Sequence, residues 1–361
     1  MSTRRYSKFT GSGCVLPTRV VENQAFLTNA FFRDYGQPID PAANAAVIDK
    51  FRQITDISGR RYAVDNRAAS CLGATAAEAA IRDAGIDRET LDHIIVAHNF
   101  GDVDPTNGRL DLVPTLAARI KERLGIRNSR CVAYDLPFGC PGWLQAVIHA
   151  DYFLRSGDTH RALVVGTETL SRVCDPGDRD SMLYADGAGA VVLEATDQET
   201  PLGVLSHATR SDALGFTGLL SMGKSYDPSL GEDRRYLKMR GRQLYQYAVQ
   251  TVPAVVKESL ERAGLALVDV AKVLIHQANA KLDEAILGRL FKLYDVAEIP
   301  EQIMPMTISW LGNSSVATLP TLFDLIRKES MDGHRLASGD VLVFAAVGAG
   351  MNVNSLVYRC P

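Results

Sequence analysis

Short apolar runs alternate with amphipathic stretches along the chain. "HIIVAHNF" (His93–Phe100), "RALVVGTE" (Arg161–Glu168), "GAVVLEA" (Gly189–Ala195), "KVLIHQA" (Lys272–Ala278) and "DVLVFAAVG" (Asp340–Gly348) read as short buried strands. Between them, Ala69–Ala84, Val113–Leu124, Pro141–Ser156, Tyr245–Ala263 and Leu282–Tyr294 repeat their apolar positions at helical spacing. Strands and helices in alternation predict a layered α/β protein. A polar seam, "ATDQETPLG" (Ala195–Gly203), divides the chain into an N-terminal half, 1–198, and a C-terminal half, 199–361. Each half closes on a Gly/Ala-rich apolar strand, "DGAGAVVLE" in one and "FAAVGAGMNVNSLV" in the other, which suggests a duplicated architecture.

Composition narrows the function classes. The 361 residues are comfortable for two cores, and 46% hydrophobic with 22% charged residues is ordinary for a globular protein. A net charge of −3 gives no global basic field, so nucleic acid is not the expected partner. No run approaches the roughly 18–20 apolar residues that span a bilayer, so no membrane partner is expected. The basic start, MSTRRYSKF, is followed by no apolar signal core, which makes the cytoplasm the expected location. Cys14, Cys71, Cys131, Cys140, Cys174 and Cys360 show no CxxC or zinc-type spacing, so free thiols and no metal are expected. The chain lacks G-x-G-x-x-G between strand and helix, G-x-x-x-x-G-K-[ST] and G-x-S-x-G. Nucleotide binding and a serine hydrolase are thereby disfavoured.

Three segments carry the chemistry. In "AYDLPFGCPGWLQAVIHADYFL" a strand-like stretch runs through Gly139-Cys140-Pro141-Gly142 into a helix, with Pro141 suited to its first turn. Cys140 then sits at the positive end of the helix dipole, which should lower its pKa. Alone, the segment equally fits a buried structural cysteine. In "KVLIHQANAKLDEAI", His276 ends a strand before a helix; a strand-end histidine satisfied by backbone is the commoner case. In "SWLGNSSVATLPTLFDLI", Gly312-Asn313 turns into a helix starting near Ser314–Ser315, where Asn and Ser are ordinary capping residues. Together the three change the picture, because strand-to-helix junctions of α/β proteins gather at one edge of the sheet. A Cys–His–Asn set offers a nucleophile for an acyl chain and two donors for a thioester carbonyl on which an enolate develops.

The sequence resembles the β-ketoacyl-acyl-carrier-protein synthase III group of the thiolase superfamily over nearly its whole length. "GSGCVLPTRVVEN", "VVGTETLSRVCDPGDRDSMLYADGAGAVVL", "HQAN", "GNSS" and the final "GAG" strand carry the resemblance. It implies a five-layer αβαβα thiolase fold of two similar halves, normally a homodimer. It implies that Cys140 accepts the acyl group, that His276 and Asn313 bind the extender thioester carbonyl, and that the backbone amides of Cys140 and Gly350 form an oxyanion hole. It implies acyl-CoA or acyl-carrier-protein thioesters as substrates and no bound cofactor. An amide at 313 can donate to an enolate oxygen but cannot act as a base, which favours condensation over acyl transfer to oxygen.

The sequence also departs from that group. The nucleophile's neighbours are Phe138 and Trp143 rather than small residues, and both are expected to reshape the acyl pocket. Lys50 and Ile54 stand where the group has an aromatic and an arginine for adenine, whereas Arg179 is kept; a carrier-protein donor gains weight over CoA. Val113, with Leu112 beside it, takes the position of the gate that reaches the partner's acyl pocket. Arg242, Lys281 and Arg289 match or neighbour positions where the group docks its acidic acyl carrier protein, although solvated surface charge fits each equally. The expected activity is a ketosynthase of fatty acid or polyketide type, joining a Cys140-bound acyl group to a malonyl or β-ketoacyl thioester. The alternatives are condensation and cyclisation of two β-ketoacyl thioesters to a dialkylresorcinol or cyclohexanedione, acyl transfer without a new carbon–carbon bond, and a non-catalytic partner subunit.

Overall fold

The computed structural model describes residues 4–231 and 233–361. Two mixed sheets organise the chain. The first holds β1 (Arg4–Val15), β2 (His93–His98), β3 (Val132–Pro137), β4 (Arg161–Thr169) and β5 (Asp186–Gln198), in the order β1-β5-β4-β2-β3. The second holds β6 (Gly203–Ser211), β7 (Val270–Ile275), β8 (Val341–Gly348) and β9 (Asn352–Arg359), in the order β6-β9-β8-β7. In both sheets the first two pairings are antiparallel and the third is parallel. The central registers correspond as well. Val164 pairs with Val191 and Ile95 in one sheet, and Val343 pairs with Val357 and Val273 in the other.

Buried strands explain the layers. β4 and β8 are buried nearly end to end, so each is covered on both faces. Helices α2 (Ala69–Ala84) and α3 (Leu116–Arg123) cover the outer face of the first sheet through Leu72, Ala76 and Ile120. Helices α4 (Gly142–Ser156) and α7 (Thr318–Arg327) lie between the sheets and bury Trp143, Val147, Leu322 and Phe323. Helices α5 (Gly241–Ala263) and α6 (Ala280–Lys292) cover the outer face of the second sheet through Val256, Leu260 and Ile286. The result is the five-layer αβαβα thiolase fold. One central core draws on both sheets. Phe9 of β1 stacks on Tyr358 of β9 with ring centroids 4.4 Å apart, and its N–H donates to the Tyr358 hydroxyl at 2.9 Å.

All five helices expected from the spacing are present, Ala69–Ala84 with the expected ends and the other four with shifted ones. The expected Val113–Leu124 helix begins only at Leu116, because Thr115 caps it through its hydroxyl, which accepts from Ala118 N–H at 3.2 Å. Pro141 is the N-cap of α4 rather than its first helical residue. The helix after Asn313 starts at Thr318, preceded by a tight turn over Ser315–Ala317. The apolar tract "FAAVGAGMNVNSLV", read as one strand, is two antiparallel strands, β8 and β9, folded back at Ala349–Met351. Helix α1 (Asn44–Thr55) and a small hairpin, Phe32–Asp34 with Gln37–Pro38, lie in the chain between β1 and α2. Among the described residues, no helix is long and apolar enough to cross a membrane, and no cluster of His, Cys, Asp and Glu could hold a metal ion.

Candidate active site

β3 and the start of α4 position Cys140. The chain leaves β3 at Pro137, turns at Gly139 with φ +68°, and enters the helix at Gly142. The turn after β8 presses against this junction. A Cβ at Gly139 would fall 2.8 Å from Ala349 N, and one at Gly348 would fall 2.5 Å from Cys140 N. Only glycine lets the two backbones approach this closely. Cys140 and Gly350 therefore share the wall of one cavity of about 420 Å³.

His276 and Asn313 line the same cavity. His276 follows β7 directly, and its N–H donates to Ala345 O at 2.8 Å. Gln277 locks the segment by donating to Pro305 O at 2.9 Å and accepting from Thr307 N–H at 2.7 Å. The imidazole is buried and its Nδ1 has no partner among the described residues. Burial pushes its pKa down to about 4, so it is neutral at pH 7. Asn313 is pinned by backbone bonds to Leu183 O and from Ala185 N–H, at 2.9 and 2.8 Å. Its Oδ1 accepts from Ser315 N–H at 2.8 Å, so Nδ2 is the end left to donate.

The nucleophile's ionisation differs from the expectation. Burial pushes the Cys140 thiol up to about 11, and the Glu168 carboxylate adds to the rise. The Ser315 hydroxyl and the Cys140 backbone amide act the other way. Desolvation by the surrounding protein raises the thiol's pKa even though the sulfur borders a cavity. The resting thiol is neutral, and a proton must leave as it attacks.

The cavity's lining is largely apolar: Phe138, Leu170, Leu220, Met222, Leu237 and Met239 line it together with Cys140. A two-stranded hairpin, Leu220–Gly223 with Tyr236–Met239, brings four of them. Trp143 is not among them. It is 1% exposed and packs between Phe9 and Phe344 in the central core, with centroids 6.2 and 6.0 Å away. Phe138 lies before the helix and faces the cavity, whereas α4 turns Trp143 toward the sheets.

A second cavity, of about 820 Å³, shares Tyr184, Met239, Leu244, Ala278 and Asn313 with the first and forms its mouth. Arg179, Arg242, Lys281, Lys50 and Ile54 line it. Arg289 does not; it is exposed on α6 outside both cavities. Leu112 and Val113 are exposed, Val113 at 85%, and line neither cavity of their own chain.

Four polar residues of the site receive no role from the sequence motifs. Glu168 is fully buried in β4 and accepts from Asn99; Asn99 reaches Ser315; Tyr184 lies between the two cavities. The one sequence signal was the carboxylate at the end of the apolar run "RALVVGTE", since a buried charge needs a reason.

Known proteins resemble the chain throughout. Residues 134–213 match the family described as 3-oxoacyl-(acyl-carrier-protein) synthase III, and residues 260–360 match its C-terminal part. The β-ketoacyl-(acyl-carrier-protein) synthase III of Erythrobacter litoralis is 32% identical, over 97% of this chain and 98% of its own. The solved 3-oxoacyl-(acyl carrier protein) synthase III of Pseudomonas aeruginosa superposes with a TM-score of 0.80 at 26% identity, covering 99% of this chain and 98% of its own. The priming β-ketosynthase of the R1128 polyketide pathway does so with a TM-score of 0.80 at 27% identity, covering 100% and 98%.

Proposed function

The chain belongs to the 3-oxoacyl-(acyl-carrier-protein) synthase III family, and from that premise we propose that Cys140, His276 and Asn313 carry out its reaction. It is an acyltransferase, a ketosynthase that joins two thioesters by Claisen condensation. The observation that carries the assignment of residues is their convergence: the three line one apolar cavity beside the tight turn that holds Gly350.

The reaction follows from their states. The Cys140 sulfur attacks an acyl thioester and gives up its proton as the bond forms, the proton going to the departing thiol. The tetrahedral oxyanion faces the Cys140 and Gly350 amides, the carrier thiol leaves with a proton, and Cys140 holds the acyl group. A malonyl thioester then enters through the mouth. His276 and the Asn313 Nδ2 donate to its thioester carbonyl, carbon dioxide leaves, and the electron pair of the broken bond becomes an enolate. The enolate carbon attacks the acyl-enzyme, the carbon–carbon bond forms, and Cys140 is expelled as a thiolate that takes a proton from solvent. Arg179, Arg242 and Lys281 give the mouth a basic rim suited to the phosphate of a pantetheine arm and to an acidic acyl carrier protein.

Intact-protein mass spectrometry with a panel of acyl donors, on CoA and on carrier protein, tests this. Wild type gains the acyl mass, Cys140→Ala gains none, and His276→Ala loads but yields no β-ketoacyl product. Normal loading of the Cys140→Ala protein would sink the assignment.

One observation favours β-ketoacyl thioesters as substrates, with cyclisation of the product. The Tyr184 hydroxyl is buried at the junction of the two cavities without a partner among the described residues. A donor there suits a second carbonyl beyond the thioester.

A further inference from the structure

Among the described residues, Ser315 is the side chain that donates to the nucleophile: its Oγ lies 3.2 Å from the Cys140 sulfur. A hydroxyl has one proton, so its direction depends on what else donates to its oxygen. Asn99 Nδ2 lies 2.9 Å from Ser315 Oγ, and an amide nitrogen can only donate. The Ser315 oxygen therefore accepts from Asn99, and its proton is committed to sulfur. Asn99 has no freedom to reverse. Glu168 Oε2 accepts from its backbone N–H at 2.8 Å and from its Nδ2 at 2.7 Å, so a flipped amide would set oxygen against carboxylate. The series Glu168–Asn99–Ser315–Cys140 runs in one direction only.

Ser315 is held for this task. Its φ is +53°, a left-handed conformation that an L-residue adopts only where surroundings impose it. In that conformation its N–H orients the Asn313 amide while its O–H reaches Cys140. Glu168 is fully buried, and its Oε1 has no partner among the described residues. A carboxylate in that position is not explained by fold stability alone.

We propose that Ser315 is a positioning residue for the nucleophile, its proton aimed at the Cys140 sulfur by Asn99 and Glu168, with the Glu168 charge opposing the thiolate that this hydrogen bond favours. The proposal rests on Cys140 being the acyl-accepting residue. Negative charge develops on the Cys140 sulfur twice per turnover, in loading and again when the β-ketoacyl product is released. A hydrogen bond to it strengthens as charge develops and so acts on the transition states more than on the resting thiol. Glu168 acts through its charge, with Asn99 and Ser315 between it and the sulfur. The other ionisable groups around the sulfur do not supply the opposing charge: His276 is neutral, and burial, with Asp180, Cys174 and Cys140 nearby, holds the Tyr184 phenol well above its usual range. Behind Glu168, His98 favours its ionised form, while burial pushes the carboxyl up to about 7.

The two arms of the network predict shifts of opposite sign. The test is the pH profile of Cys140 alkylation by iodoacetamide, read on the Cys140 peptide by mass spectrometry, with thermal unfolding as the control for folding. In Ser315→Ala the profile moves to higher pH, and alkylation at a fixed pH below the midpoint slows about tenfold, the effect of one hydrogen bond to a charged group. In Glu168→Gln, which keeps an acceptor for Asn99, the profile moves to lower pH. If Ser315→Ala does not fold, Asn99→Leu serves in its place, with a smaller upward shift expected because the serine proton is freed to turn away. A profile superposable on wild type in the serine and asparagine variants, or an upward shift in Glu168→Gln, overturns the proposal. Alkylation needs no acyl donor, so a wild type that fails to load would refute the assignment of Cys140 while leaving this measurement readable.

Discussion

At the scale of single residues, the site is a set of polar atoms each given one remaining task. Ser315 N–H occupies the Asn313 carbonyl and leaves its amide as a donor. The backbone holds His276 in place while burial keeps its ring neutral. Tyr184 is the residue whose task is still open, since its hydroxyl has no partner among the described residues. Tyr184→Phe removes that hydroxyl and little else. Simple acyl loading should persist, while kcat/KM for a β-ketoacyl thioester should fall about tenfold, the worth of one buried hydrogen bond. An equal fall for malonyl and β-ketoacyl thioesters would remove the observation that favours the cyclising reading. The sequence made Cys140, His276 and Asn313 legible through their motifs. It could not make Asn99 or Ser315 legible, because their meaning lies in partners 69 and 175 residues away.

At the scale of elements, α4 divides two bulky neighbours of the nucleophile. Phe138 precedes the helix and faces the cavity; Trp143 enters it and joins the core among Phe9, Phe344 and the inter-sheet layer. The sequence put both in the acyl pocket, since they lie within three residues of Cys140 on either side. The helical turn separates them. Trp143→Ala should destabilise the fold by about 3–5 kcal/mol, measured by chemical denaturation, and leave the chain-length profile of loading unchanged. Phe138→Ala should do the reverse, with longer acyl chains accepted and a small change in stability. A changed loading profile in a folded Trp143→Ala protein would contradict this division.

At the scale of the whole molecule, the first sheet ends on β3, which is paired on one side only. Val132 at its start is half exposed, and Leu112 and Val113 nearby in sequence are exposed apolar residues. An open edge strand and exposed apolar residues each invite a second copy of the chain. Analytical ultracentrifugation should find twice the chain mass, and Val113→Asp should shift the population toward monomer; a monomeric wild type would refute the expectation. The sequence by itself determined the alternation of strands and helices, the paired Gly-rich tracts and the three residues proposed for catalysis. These are local, written in spacing and in residues whose backbone demands are read in place. Tertiary structure alone decided that the thiol of Cys140 is neutral rather than activated, that Trp143 is core, that Arg289 lies off the mouth, and that Glu168 is tied to the nucleophile. Desolvation and hydrogen-bond direction depend on what surrounds a group in space, and only the layers of the fold bring those surroundings together.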